Sequence, residues 1–154
     1  MKGILVVNKP KGYTSRDVVN VLGKTVGTKK VGHTGTLDPL ATGVLVVLLG
    51  RYTKLADIIV HDDKEYIAEI KLGVRTDTLD ITGNILEKRK CQVSKEEVLK
   101  IFKSFIGNYK MEVPIYSAVK VKGKKLYEYA RRGIDVELPI KEVEIRELEL
   151  INLS

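Results

Sequence analysis

The order of apolar and polar positions divides the chain into short segments of distinct period. Gly3-Ile-Leu-Val-Val-Asn8 is a continuous apolar run, read as a short buried strand closed by the turn residues Lys9-Pro10-Lys11-Gly12. Thr14 stands three residues before Asp17, the spacing of a capping box, and Val18, Val19, Val21 and Leu22 follow as a helical stripe. Residues 27–43 hold four glycines and no such stripe, which predicts a long loop. Val44–Leu49 reads as a second buried strand between Gly43 and Gly50. Thr53 is placed to cap a short helix through Leu55, Ala56, Ile58 and Ile59.

From Glu65 to Leu72 the period changes to two. Tyr66, Ala68, Ile70 and Leu72 alternate with Glu65, Glu69 and Lys71, the pattern of a half-buried strand. A second capping box, Ser94 with Glu97, opens a helix carrying Val98, Ile101, Phe102 and Phe105, ended by Gly107. Ser117–Val121 reads as a strand, Lys122-Gly123-Lys124 as a turn and Leu126–Arg132 as a short helix. Glu142–Leu150 alternates again, with a slip after Ile145 that a bulge would absorb. This order of elements predicts an α+β fold, a mixed, largely antiparallel sheet with flanking helices. The closing run Ile151-Asn-Leu-Ser154 has neither turn nor final helix, which fits an edge strand or a chain divided within a sheet.

Composition narrows the function classes. The 154 residues are 44% hydrophobic and 31% charged, as in a globular domain. The longest apolar run has six residues, Val44–Leu49, against about 20 for a membrane span. Ile4–Val7 is too short for a signal peptide, so a soluble, cytoplasmic protein is expected. The single Cys91 excludes an internal disulfide, and with only His33 and His61 a transition-metal centre lacks ligands. The net charge of +7 is uneven. Residues 1–60 hold nine basic and three acidic side chains, residues 110–132 seven and two, and residues 133–154 two and six. Two basic regions point to a polyanionic partner, although lysines also serve solubility alone.

The densest cluster of unusual residues is Gly32-His33-Thr34-Gly35-Thr36-Leu37-Asp38-Pro39-Leu40-Ala41-Thr42-Gly43. Its glycines permit close backbone approach, and Pro39 biases Asp38 towards extended backbone. A stiff loop feeding a buried strand is a sound mount for one carboxylate. It lacks the Gly-Lys-[Ser/Thr] ending of a phosphate-binding loop, the G-x-G-x-x-G pattern and the zinc-deaminase signature. A structural reading also stands, in which Asp-Pro forms a turn and the carboxylate caps a backbone N–H.

The same twelve residues resemble the signature of the TruB-type tRNA pseudouridine synthases. Further blocks fall in that family's order: Asn8-Lys9-Pro10-Lys11-Gly12 with Ser15 beyond, Lys64-Glu65-Tyr66, and Arg75-Thr76-Asp77-Thr78-Leu79-Asp80 ending in Gly83. Pro114-Ile115-Tyr116-Ser117-Ala118-Val119-Lys120 and Gly123-Lys124-Lys125-Leu126-Tyr127-Glu128-Tyr129-Ala130-Arg131 complete the set. The resemblance implies isomerisation of a uridine in RNA, usually the T-loop uridine at tRNA position 55, without cofactor or metal. By motif position Asp38 is the catalytic aspartate. The resemblance further implies that Tyr66 stacks on the flipped uracil and that His33 contacts RNA beside the extruded nucleotide. Lys9, Lys120 and Arg131 are candidates for phosphate contact, as are Lys29, Lys30, Arg51, Lys122, Lys124 and Lys125.

The family continues into a Gly-Thr-Tyr-Ile-Arg-like block, whose arginine pairs with the aspartate, and into a C-terminal RNA-binding extension. Neither is found in these 154 residues. The expectation is therefore the N-terminal portion of a pseudouridine synthase catalytic domain, with little or no activity alone and a monomer when whole. The alternatives are an RNA-binding fragment without catalysis and a guide-dependent, dyskerin-like synthase. The start of the first strand at Ile4 favours the stand-alone tRNA enzyme over the latter.

Overall fold

In the computed structural model, which describes residues 1–59 and 63–154, the first apolar run forms strand β1, Gly3–Lys9. His61 lies outside the described residues. Helix α1, Ser15–Thr25, follows and opens with the expected capping box between Thr14 and Asp17. Strand β2, Val31–His33, and strand β3, Gly43–Leu49, complete a three-stranded antiparallel sheet in the order β1-β3-β2. β1 pairs with β3 along its whole length, from Gly3 opposite Leu49 to Lys9 opposite Gly43.

These elements belong to the first of two compact units, Met1–Ala68 and Glu69–Ser154. The core of the first unit lies between one face of β3 and α1. Leu45, Val47 and Leu49 alternate inward and meet Val18 and Val19, with Val7, Leu22, Val26, Val31 and Leu37 around them. Val21 falls off this stripe and is 51% exposed, because on a helix it points away from the arc shared by Val18, Val19 and Leu22. β1 is an edge strand rather than a buried one: Ile4, Leu5 and Val6 are exposed. The region read as one long loop contains β2, whose three residues are too few to show a period. After β3 come a 3₁₀ turn, Gly50–Leu55, and α2, Ala56–Ile59. Thr53 does not cap a helix; its hydroxyl donates back to the Gly50 carbonyl at 3.0 Å.

The second unit contains three short antiparallel ladders. β4, Val74–Thr76, pairs with β5, Ile85–Lys88, around a turn in which Asp80 accepts from Thr78, Thr82 and the Thr82 N–H. Helix α3, Lys95–Phe105, carries the second capping box and is followed by β6, Gly107–Glu112. β7, Lys120–Val121, and β8, Lys124–Lys125, make a tight hairpin feeding α4, Leu126–Arg131. β9, Ile140–Ile145, pairs with β6 residue for residue. Every pairing among the described residues is antiparallel, and with the helices this is an α+β architecture.

Two alternating segments did not become the strands their period predicts. Residues 65–72 are exposed and lie outside any strand, and β9 stops at Ile145 rather than continuing through a bulge to Leu150. Alternation specifies which face of a strand is apolar, but a strand forms only where a neighbour completes its hydrogen-bond ladder. The irregularity that does occur is between Arg75 and Thr76.

Candidate active site

β2 and β3 define the ends of the glycine-rich loop, and the β2 pairing extends one residue through the Thr34 N–H to the Val46 carbonyl, 3.1 Å away. Beyond it, Leu37 packs against the core and Asp38 turns outward. The Asp38 carbonyl accepts from the Ala41 N–H at 3.0 Å, closing the turn Asp38-Pro39-Leu40-Ala41. Aspartate first and proline second is the favoured order for such a turn. The turn is closed by backbone alone. The Asp38 carboxylate is exposed and, among the described residues, makes no hydrogen bond or ion pair.

The segment after β1 grips this loop on both sides of Asp38. On the N-terminal side, the Ser15 Oγ accepts from the Leu37 N–H at 2.9 Å and lies 3.4 Å from the Leu37 carbonyl. On the C-terminal side, the Gly12 N–H donates to the Pro39 carbonyl at 2.7 Å. Gly12 has a φ of +88°, a conformation that side-chain-bearing residues rarely adopt.

Lys9 is placed differently from its expected role at a phosphate. It is 0% exposed, and its Nζ donates to the carbonyls of Pro10 at 2.9 Å, Tyr13 at 2.6 Å and Pro39 at 3.5 Å. Three donors thus meet three acceptors, which compensates the burial of the ammonium. The sequence signal for this role is weak, because a lysine beside Pro and Gly looks like any loop lysine.

His33, at the end of β2, is half-buried, and its Nδ1 is enclosed without a hydrogen bond of normal geometry. Burial pushes its imidazole below the ordinary histidine value and nearby Arg16 adds to this, while the Gly35 backbone opposes it. The shift favours the neutral ring. Tyr66 belongs to no strand among the described residues and is 68% exposed.

A second feature lies within the other unit. Lys122 and Gly123, with φ of 49° and 81°, form the two-residue turn between β7 and β8. The Tyr129 hydroxyl donates to the Val121 carbonyl at 2.9 Å, and Leu126 is fully buried, so hairpin and α4 form one piece. Lys120 and Arg131 are both exposed on it. The Lys125 ammonium and the Arg131 guanidinium stand 5.3 Å and 5.2 Å from the centre of the Tyr127 ring. Cations over an aromatic face are held without a carboxylate to neutralise them.

Comparison with known proteins places this arrangement. Residues 23–154 match the family described as TruB family pseudouridylate synthase (N terminal domain). A tRNA pseudouridine synthase B from Fusobacterium nucleatum subsp. nucleatum is 50% identical over 154 residues, 100% of this chain and 54% of that protein. The protein of the same name from Alkaliphilus oremlandii is 48% identical over 153 residues, 99% of this chain and 51% of that one. The chain spans about half the length of the curated relatives it matches. In the crystal structure of a Cbf5-Nop10-Gar1 complex, one chain shares the fold with a TM-score of 0.63 at 21% identity, covering 99% of this chain and 36% of that chain. With its signature loop mounted between β2 and β3, the chain belongs to the TruB family of pseudouridylate synthases, over the part described as that family's N-terminal domain.

Proposed function

We propose that this chain carries the aspartate-bearing half of a tRNA pseudouridine synthase acting on the T-loop uridine at tRNA position 55. The names of the curated relatives support tRNA as the substrate. The observation that carries the reading is the exposed Asp38 carboxylate between two backbone clamps. The reaction is an isomerisation. The N1–C1′ bond breaks, the uracil turns, a C5–C1′ bond forms, the C5 proton leaves and N1 takes one up. Asp38 serves as nucleophile or stabilises cationic character on the way.

The target base must leave its stack to reach Asp38, at a cost of a few kcal/mol. The Tyr66 ring offers about 1–3 kcal/mol of stacking in return. Neutral His33 meets the RNA beside the extruded nucleotide without adding charge, and Lys120 and Arg131 meet phosphates. Alone, residues 1–154 have little or no activity, because among the described residues no cationic partner meets the exposed Asp38 carboxylate to orient it towards the base.

Asp38→Asn tests the reading in the protein as its gene encodes it. Tritium release from a tRNA carrying [5-³H]uridine should vanish while tRNA affinity is retained. Normal release by this variant would refute a catalytic Asp38. The basic hairpin favours a second reading, RNA binding without chemistry, which the same assay supports if the unsubstituted protein binds tRNA and releases no tritium.

A further inference from the structure

We propose that Ser15 is a positioning residue for Asp38: its buried hydroxyl fixes the Leu37 backbone and thereby the direction in which the next residue's carboxylate leaves the loop. The proposal rests on the reading of Asp38 as the reacting carboxylate.

The helix that Ser15 begins does not need its hydroxyl. Thr14 already caps α1, its Oγ1 accepting from the Asp17 N–H at 3.1 Å while the Asp17 carboxylate returns to the Thr14 N–H at 2.9 Å. Ser15 is the residue after the cap, and its Oγ reaches across 22 positions of sequence to Leu37. At 2% exposure it lies beside the core formed by Val18 and Val19, so water does not readily replace it.

The recipient is equally specific. Leu37 immediately precedes Asp38, and its side chain packs on the same core. On the other side of Asp38 the Pro39 carbonyl is held by the Gly12 N–H, and the proline ring fixes its own φ. With both neighbours tied, little besides the torsions of Asp38 remains free. Releasing Leu37 frees one end of this short span. A displacement of about 1 Å at a reacting group costs about 10²-fold in rate.

The test compares Ser15→Ala with Val19→Ala, a core truncation in the same helix, in the protein as its gene encodes it. Both are assayed below their melting transitions, where circular dichroism reports a folded chain. Ser15→Ala should lower kcat by about 10²-fold with KM and tRNA Kd within about threefold. Val19→Ala should lose as much or more in Tm and keep kcat within about threefold. Equal kcat for the two variants overturns the proposal and leaves Ser15 a structural residue. Should Ser15→Ala not fold, Ser15→Cys keeps the size with a weaker hydrogen bond; a reduced kcat supports the proposal and an unchanged kcat overturns it. Asp38→Asn is run alongside. If it is inactive while Ser15→Ala is normal, only the positioning role falls; if it turns over normally, the reading of Asp38 falls and takes this proposal with it.

Discussion

Lys9 and Lys120 carry the same charge, yet one is enclosed against three carbonyls and the other stands on an exposed hairpin strand. Sequence composition counts both towards a basic surface; only burial separates a structural ammonium from one available to a phosphate. His33 shows the same dependence on surroundings. Because its folded-state value lies below the reference of 6.5, the folded protein binds fewer protons there than the unfolded chain. The associated stability is fully present above pH 6.5 and is lost as pH falls through the lower, folded value. The Tm of the protein should therefore drop on acidification from neutral pH, and His33→Gln should flatten that part of the profile. A profile unchanged by the substitution would show that the imidazole titrates as it does in the open chain. The motif marked Asp38 as the residue to examine, whereas the clamps on Leu37 and Pro39 were illegible, since they join positions 22 to 30 residues apart.

Both helices announced by capping boxes formed where the sequence put them. The Thr14/Asp17 and Ser94/Glu97 boxes each open a helix, because both hydrogen bonds of a capping box lie within four residues. The β7–β8 hairpin is equally local: Gly123 supplies the left-handed conformation that a two-residue turn demands. Gly123→Val should destabilise the hairpin by about 1–2 kcal/mol, since a branched side chain is strained at that φ. Hydrogen exchange should then quicken at the amides of residues 120–127, whereas Gly123→Asn, which tolerates the conformation better, should stay close to the original. Equal exchange in both variants would mean that the turn does not govern the hairpin. The tyrosine segment, residues 65–72, shows the limit of local signals. Its alternation is clear, yet without a paired neighbour among the described residues it has no ladder to join.

At the scale of the whole molecule, the basic side chains are distributed over both units, and each unit has its own packed elements. On the proposed reading, phosphate contacts to tRNA release counterions, so affinity falls linearly with salt on logarithmic axes. Lys120→Gln should lower the affinity and reduce the magnitude of that slope by about one. Lys9→Met should leave the slope unchanged and lower Tm instead, because its ammonium faces carbonyls rather than solvent. A slope that responds to Lys9 and not to Lys120 would reverse these assignments. The measurement is made on the protein as its gene encodes it.

By itself, the sequence determined what depends on short range: the helix starts, the hairpin turn, the central apolar strand and the loop that bears Asp38. Their causes, capping, glycine conformation and apolar runs, act within a few residues. Tertiary structure decided which alternating segments found strand partners, which lysine was enclosed and which hydroxyl reached the backbone beside Asp38. Those outcomes depend on how far folding brings distant residues together, and on whether a polar group removed from water meets a partner when it arrives.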